Sequence, residues 1–389
     1  MNDWRSLLTQ TTAHVEERFD QLKARLSQRL GLEEPLFIQP YYGFGTPQAV
    51  TIKGRVLENE GIQTATDQDT VWQNVLNTYR RIESDEVPGA TVQGIFHGVK
   101  ATAVTNEEGY FDLHFSLPTP LTAANPWQPA ALALLNAPRR QLDKPVTATG
   151  HILVVPETAV FGVISDIDDT ILQSKATSYL QAARLLLLEN ARTRLPFPGV
   201  AAFYKALVIG QAAKLGLGGQ NNPIFYVSSS PWNVFTLLTE FFAYQELPQG
   251  PLFLKDYGIT PDQLFSSGHR QHKLDQINTI LQTYPNLPFI LIGDSGQKDP
   301  EIYAEVAMKF PDRIKAIYIR DVTADRRDQE VLDIAASLQP LGIDMVLAAD
   351  SAATAEHAAR YGFINANQLP AITADKLSQQ KQEELLDAD

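Results

Sequence analysis

The sequence predicts an α/β protein with a doubly wound parallel sheet, preceded by a β-sandwich domain and an N-terminal helix. From about residue 158 onward, apolar strand-like runs alternate with helical stretches, which is typical of a parallel sheet covered by helices. Before residue 157, short alternating segments are separated by turn residues, which is typical of a β-sandwich. The length of 389 residues is also sufficient for two or three domains.

The composition is that of a soluble globular protein, with 44% hydrophobic and 20% charged residues. The chain has no cysteine, which excludes disulfides, cysteine nucleophiles and thiolate metal ligands. The formal net charge of −13 disfavours nucleic-acid binding, which normally requires a basic surface. Because we find neither a secretory signal nor an apolar run of about 18 residues, we expect a cytoplasmic protein, with transient peripheral membrane contact as an option. The sequence identifies no protein partner.

Residues 1–34 are predicted to form an amphipathic helix, since apolar residues recur there at roughly helical spacing and Gly31 provides a stop signal. Residues 35–156 are predicted to form the β-sandwich, similar to immunoglobulin-like or transthyretin-like modules. Within it, residues 101–117 resemble a hairpin with its turn at residues 106–109. No catalytic cluster occurs in this domain, so we expect a spacer or a docking module.

Residues 157–366 are predicted to form the α/β domain. The candidate strands are Val160–Ser165, Ile224–Ser228, Phe289–Ile292, Ile314–Ile319 and Met345–Ala348. The candidate helices include Lys298–Phe310, Asp328–Leu338 and Ala352–Tyr361. Residues 367–389 are polar and are predicted to be a frayed tail.

Three of the candidate strands end in polar residues. The first leads into Asp166 and Asp168, the second into Ser228 and the third into Asp294. Because the crevice of an open α/β sheet lies outside the carboxyl ends of its strands, we expect these side chains to meet there. Asp166 and Asp168, two residues apart in an extended segment, project to the same side. Their repulsion requires a cation, and oxygen ligands without sulfur or clustered imidazole favour Mg²⁺.

These residue types suit phosphoryl transfer. One carboxylate can attack phosphorus to give an aspartyl-phosphate, while a second protonates the leaving oxygen and later activates water. Asp294 would complete the metal shell, and Lys273 with the groups around Ser228 would hold the phosphate oxygens. A single D-x-D pair also suits a helix cap or a turn. The agreement of three strand ends favours the catalytic interpretation.

The motifs resemble those of the haloacid-dehalogenase superfamily of phosphatases. The four matching motifs are Asp166/Asp168/Thr170, Ser228, Lys273, and Gly293-Asp294 with Asp299. More narrowly, the segments GVISDIDDTI, YVSSSPWN and LIGDSGQKDPEIY are similar to the actin-patch-protein phosphatidate phosphatase family, a relative of the lipins. The resemblance covers about residues 157–350, and bacterial members carry a similar strand-rich segment before it.

The resemblance implies a haloacid-dehalogenase-like fold and Mg²⁺-dependent hydrolysis of phosphatidate to diacylglycerol and phosphate. It implies that Asp166 is the nucleophile and that Asp168 is the acid/base, with the Asp168 carbonyl also on the metal. The implied metal ligands are Asp166, Asp168, Asp294 and Asp299, and the substrate contacts include Thr170, Ser228 and Ser229. Which serine of residues 228–230 holds the phosphate stays open, with Ser228 preferred. Asp169 either hydrogen-bonds locally or adds a carboxylate near the metal.

Residues 179–200, with four consecutive leucines, form either an apolar lip for acyl chains or an ordinary buried helix. Arg194 and Arg270 are candidate contacts for the phosphate or headgroup, and exposed surface is the alternative for each. Trp232 either lines the pocket or anchors the next helix. Two alternatives to a phosphatidate phosphatase remain, namely a phosphatase for soluble phosphomonoesters and a non-catalytic phospholipid sensor on the same fold.

Overall fold

The computed structural model describes residues 35–58, 86–122, 125–138, 140, 142, 144–171, 197–211, 222–256, 268–323 and 326–386. Their strands form two sheets, one mixed and one parallel. The helix predicted for residues 1–34 and most of the leucine-rich stretch 179–200 lie outside the described residues. None of the helices within these ranges is both long and apolar enough to cross a membrane.

The first sheet has eight strands and its own apolar core. The strands are β1 Leu36–Pro40, β2 Gly43–Gly45, β3 Ala49–Glu58, β4 Thr91–Phe96, β5 Val99–Val104, β6 Tyr110–Ser116, β7 Trp127–Asn136 and β8 Val146–Val154. The pairings are antiparallel except between β2 and β8. Inward-facing residues such as Ile52, Phe96 and Leu113 bury the apolar face. The strands β1 to β8 join into one hydrogen-bonded sheet, and the sandwich arrangement stays a prediction.

The hairpin predicted for residues 101–117 is wrong in its pairing. The turn is present, since the Gly109 N–H donates to the Asn106 carbonyl at 3.0 Å. However, β5 pairs with β4 and β6 pairs with β3. The hairpin is instead β4–β5, where His97 and Gly98 both adopt positive φ angles, 44° and 81°. Two such residues suit the tight turn between antiparallel strands.

The second sheet has six parallel strands in the order β11-β10-β9-β12-β13-β14. They are β9 Gly162–Asp166, β10 Ile224–Pro231, β11 Leu252–Lys255, β12 Phe289–Asp294, β13 Ile314–Arg320 and β14 Asp344–Ala348. The parallel sheet of the prediction is confirmed, with β11 as an added edge strand. From β9 the chain continues to β10 and β11 on one side and then crosses to β12. The topological switch point, where such sheets bind ligands, therefore lies at the end of β9.

Helices cover both faces of the second sheet. They are α1 Val200–Ile209, α2 Phe235–Tyr244, α3 Gly268–Thr283, α4 Asp299–Lys309, α5 Arg326–Leu338, α6 Ser351–Arg360 and α7 Leu369–Leu386. Alternate strand residues point to opposite faces. Val163 and Tyr226 belong to the core with α1, α2 and α6, whereas Ile164 and Phe225 belong to the core with α3, α4 and α5. The sheet is thus covered on both sides, while its haloacid-dehalogenase-like character stays a prediction.

The C-terminal segment corrects the predicted frayed tail. Residues 369–386 form α7, which packs against α1 and α6. Ile372 is buried, and the Gln379 side chain accepts a hydrogen bond from the Gly199 N–H at 2.8 Å. Lys376 pairs with Asp350, the residue that caps α6. The burial of Ile372 and the polar contacts of Gln379 and Lys376 therefore hold this helix in place, although its composition alone indicates a solvated tail.

Candidate active site

Asp166 is the last residue of β9, and its side chain is 1% exposed. One carboxylate oxygen, Oδ1, accepts a hydrogen bond from Lys273 Nζ at 2.8 Å. The other, Oδ2, accepts from the Thr170 hydroxyl at 3.3 Å. Burial raises the pKa of Asp166 well above its ordinary value, and the Lys273 ammonium acts in the opposite direction. The strand thus ends in a carboxylate held by one cation and one hydroxyl.

Asp168 is held by the serines that end β10. Its Oδ2 atom accepts hydrogen bonds from the hydroxyls of Ser228, at 2.8 Å, and Ser230, at 3.4 Å. The Ser230 N–H in turn donates to the Ser228 hydroxyl oxygen at 2.9 Å. Burial raises the pKa of Asp168, while the Ser228 hydroxyl lowers it. The side chain is thereby oriented and biased towards the protonated form that a general acid requires. Ser229, between the two serines, is also buried.

Lys273 lies on α3 and reaches two carboxylates. Its Nζ atom donates to Asp166 and to Asp299, and its side chain is 4% exposed. Burial alone lowers the pKa of a lysine, but Asp166 and Asp299 outweigh this effect and raise the pKa of Lys273. The lysine is therefore a fixed positive charge in the centre of the acidic cluster.

Asp294 ends β12 and is fully buried. Its backbone N–H donates to Asp299 Oδ2 at 3.3 Å, and its Oδ1 atom accepts from the Gln297 N–H at 2.9 Å. Its Oδ2 atom is buried and has no hydrogen-bond partner among the described residues. Burial, followed by the neighbouring Asp299, raises the pKa of Asp294 to about 8. A buried oxygen without a partner is costly unless a cation or a ligand contacts it.

The donor set fits a hard divalent cation. Asp166, Asp294 and Asp299 can each offer one carboxylate oxygen, and these oxygens lie within 4.8 Å of one another. All are hard oxygen donors of the kind that Mg²⁺ prefers. The Oδ2 atom of the Asp168 carboxylate is engaged by serines, and the Asp168 backbone carbonyl is a further oxygen donor next to the cluster. That carbonyl also accepts from Gln297 Nε2 at 3.3 Å.

Gly293 makes the approach of Asp299 to the end of β12 possible. A Cβ atom at position 293 would lie 2.3 Å from Asp299 Oδ2 and 2.7 Å from Asp299 Cβ. We therefore expect Gly293→Ala to displace the Asp299 carboxylate and to destabilise the protein by about 1–3 kcal/mol. Urea unfolding would measure this loss. An unchanged free energy of unfolding would contradict the packing argument.

Two residues near the site were missed in the sequence analysis. Arg320, the last residue of β13, lies next to Asp294 in register and donates to the Thr170 carbonyl at 3.2 Å. Burial lowers the pKa of Arg320 to about 10. Arg327 donates from Nε to the Ser295 carbonyl and from Nη2 to both carboxylate oxygens of Glu301. The arginine that ends the apolar run IKAIYIR was a detectable signal, whereas the position of Arg327 depends on the tertiary fold.

Of the two predicted substrate arginines, the structure describes Arg270. Arg194 lies outside the described residues. Arg270 is half exposed and forms an ion pair with Glu305 of α4. Contacts of both arginines with a phosphate stay predictions. For Trp232 the structure favours the anchoring alternative, since it is 7% exposed and stacks on Tyr41.

The fold and the site define an α/β domain with a buried acidic crevice, containing one lysine, at its topological switch point. Residues 161–321 match the family described as phosphatidate phosphatase APP1, catalytic domain. This match confirms the resemblance to the actin-patch-protein phosphatidate phosphatase family. It spans β9 to the residue after β13 and includes Asp166, Asp168, Asp294 and Asp299.

Two curated relatives are similar to part of this chain. Phosphatidate phosphatase APP1 of Saccharomyces cerevisiae is 35% identical over 188 residues, which are 46% of this chain and 30% of the yeast protein. An uncharacterized protein of Schizosaccharomyces pombe is 29% identical over 229 residues, which are 57% of this chain and 34% of that protein. The chain thus covers about a third of the length of these relatives.

Solved structures add little to the comparison. A carbohydrate acetylesterase from Xanthomonas citri aligns over 77% of this chain and 72% of its own, with 10% identity and a TM-score of 0.25. So low a score supports no conclusion about fold or function.

Proposed function

We propose that this protein is a Mg²⁺-dependent phosphatidate phosphatase that forms an aspartyl-phosphate on Asp166. The observation that carries the proposal is the meeting of Asp166, Asp168, Lys273 and Asp294 at the ends of adjacent parallel strands. This cluster lies within the region that matches the APP1 catalytic domain. A lipid substrate also implies transient contact with a membrane surface.

In the first step, a carboxylate oxygen of Asp166 attacks phosphorus and the bond from phosphorus to the diacylglycerol oxygen breaks. Asp168 gives its proton to the departing oxygen, and the elevated pKa of Asp168 supports this role. In the second step, Asp168 takes a proton from water, which attacks phosphorus. Inorganic phosphate leaves and the Asp166 carboxylate is restored.

The charges of the site support the need for a cation. Lys273 pairs with Asp166 and Asp299, two more carboxylates lie near Asp166, and a phosphomonoester would add further negative charge. Mg²⁺, when bound, would neutralise part of this charge and polarise a phosphate oxygen. Asp166, Asp294 and the carbonyl of Asp168 are the groups we expect to hold it. Asp299 is engaged by Lys273 and by the Asp294 N–H, so we expect it chiefly to position these two residues.

The decisive experiment measures phosphate release from phosphatidate in detergent micelles, with and without Mg²⁺, and from glycerol 3-phosphate in parallel. Mg²⁺-dependent release from the lipid alone is the expected result. Release from the soluble ester alone would indicate that the substrate is a soluble phosphomonoester and not a lipid. No release from either would contradict the proposal and favour the phospholipid sensor.

Asp168→Asn is expected to slow hydrolysis most where the leaving oxygen must be protonated. Rates with alkyl phosphates should fall by about 10²–10⁴-fold, and rates with an activated aryl phosphate should fall less, because its leaving group is stable as an anion. Steady-state kinetics on both esters would measure the difference. Equal losses would exclude Asp168 as the general acid.

A further inference from the structure

An aromatic contact joins the first sheet to the site-bearing domain. Tyr41 lies between β1 and β2, and its ring stacks on Trp232 with 4.2 Å between centroids and 25° between planes. Phe235 meets the Tyr41 ring edge-on at 4.8 Å. Tyr41 is only 3% exposed, so the contact excludes solvent. Trp232 directly follows the strand that carries the site serines.

The end of β10 is irregular where those serines lie. Val227 pairs with Phe253 and Pro231 pairs with Lys255, so four residue steps on β10 oppose two on β11. The two extra residues fall within residues 228–230, and we call residues 228–231 the serine bulge. A bulge re-aims side chains and interrupts ladder hydrogen bonds. Here it accompanies the turn of the Ser228 hydroxyl towards Asp168, at 2.8 Å.

A bulged backbone needs support from outside the ladder, and the first sheet supplies it. Trp232, the first residue after the serine bulge, is packed against Tyr41 and Phe235. We infer that Tyr41 is a positioning residue, which holds the serine bulge through Trp232 and thereby orients Asp168. The catalytic consequence rests on the proposed function. The predicted spacer or docking module would then be a structural part of the active site.

Lys53 adds a second tie from the first sheet. Its Nζ atom pairs with Asp256, just after β11, at 2.8 Å. The same ammonium lies 5.5 Å from the centroid of the Trp232 ring. The Tyr41 N–H donates to the Lys53 carbonyl at 2.9 Å, so a backbone hydrogen bond joins the two residues that make these contacts. The first sheet therefore contacts the residues that directly follow β10 and β11, the two strands whose pairing the bulge interrupts.

The test compares Tyr41→Leu with Phe44→Leu in the full chain. Phe44 belongs to the same interface, but its ring contacts Phe253 and Phe225, ahead of the bulge. Hydrogen exchange of a peptide covering residues 226–232 reports the bulge directly, and kcat and KM with an aryl phosphate report the site. We expect Tyr41→Leu to speed this exchange and to lower kcat by about ten-fold with little change in KM, as for a misplaced catalytic group. Phe44→Leu should do neither, and Tyr41→Phe should behave like the native protein.

Equal changes in the two leucine variants, or native exchange and turnover in Tyr41→Leu, would overturn the inference. If the native protein hydrolyses no phosphate ester, the proposed function fails, and the exchange measurement still decides whether Tyr41 holds the bulge. If Tyr41→Leu gives no cooperative thermal transition, Trp232→Phe weakens the stack from the other side. It should increase exchange at residues 228–230, and native protection there would also overturn the inference.

Discussion

Asp166→Asn is expected to abolish turnover, with kcat reduced by about three orders of magnitude or more, because an amide cannot act as the nucleophile. The neighbouring carboxylates have other roles in the proposal, and Asp294 is assigned to the cation. Asp168 is engaged by Ser228 and Ser230, and Asp299 is engaged by Lys273. Mg²⁺-dependent phosphate release, measured with enzyme in excess to detect slow turnover, would report the loss.

The fold should survive this change. Asparagine has the same shape as aspartate, and its carbonyl oxygen can still accept the hydrogen bond from Lys273. One negative charge is removed from a buried cluster of like charges while Lys273 keeps its pair with Asp299, so the free energy of unfolding should not fall. Asp275→Asn, an exposed position on α3, is the matched control and should keep native turnover. Near-native activity of Asp166→Asn would disprove the nucleophile assignment.

The parallel sheet was predictable because its strands are buried on both faces and read as continuous apolar runs. The same property reveals their ends, where Asp166, Ser228 and Asp294 interrupt the apolar pattern. Neighbouring parallel strands must then bring those residues to one edge of the sheet. Fold class and central carboxylates therefore follow from short-range pattern and sheet geometry.

Other features depend on contacts that no local pattern records. β11 has only four residues and no alternation, so it is recognisable only beside β10. The pairing of β5 and β6 with different partners is set by the sheet as a whole, although the turn at residues 106–109 was visible. Similarly, α7 is polar except for a few apolar residues such as Ile372. Its position depends on packing against α1 and α6, which the local sequence does not record.

The hydrogen-bond partners of the site residues are likewise not recorded in any local sequence pattern. The sequence placed Ser228 on the phosphate, which stays a prediction, and the structure adds that its hydroxyl donates to Asp168. The sequence placed Asp299 among the metal ligands, and the structure also gives it Lys273 and the Asp294 N–H as partners. Motif spacing indicates which residues meet, but the choice among donors and acceptors is made by packing within the crevice.

Among the variants proposed here, Lys273→Met is expected to lower the free energy of unfolding the most. Lys273 is the cation that contacts both Asp166 and Asp299, and all three side chains are at most 4% exposed. Removal of one partner from a buried ion pair leaves uncompensated charge and typically costs about 3–5 kcal/mol. The free energy of unfolding from urea titration, without added metal, would measure the loss. Turnover should also fall sharply, because Asp166 loses the group that orients it.

Two further variants separate the charge effect from lost packing. Lys205→Met breaks an exposed pair with Glu246, and such pairs contribute little to stability. Lys273→Met combined with Asp299→Asn removes one of the two carboxylates that the lysine neutralises. Because replacing an ion pair costs less than breaking it, the double variant should be more stable than Lys273→Met alone. If Lys273→Met lost no more stability than Lys205→Met, the lysine would not be the charge that holds the acidic cluster together.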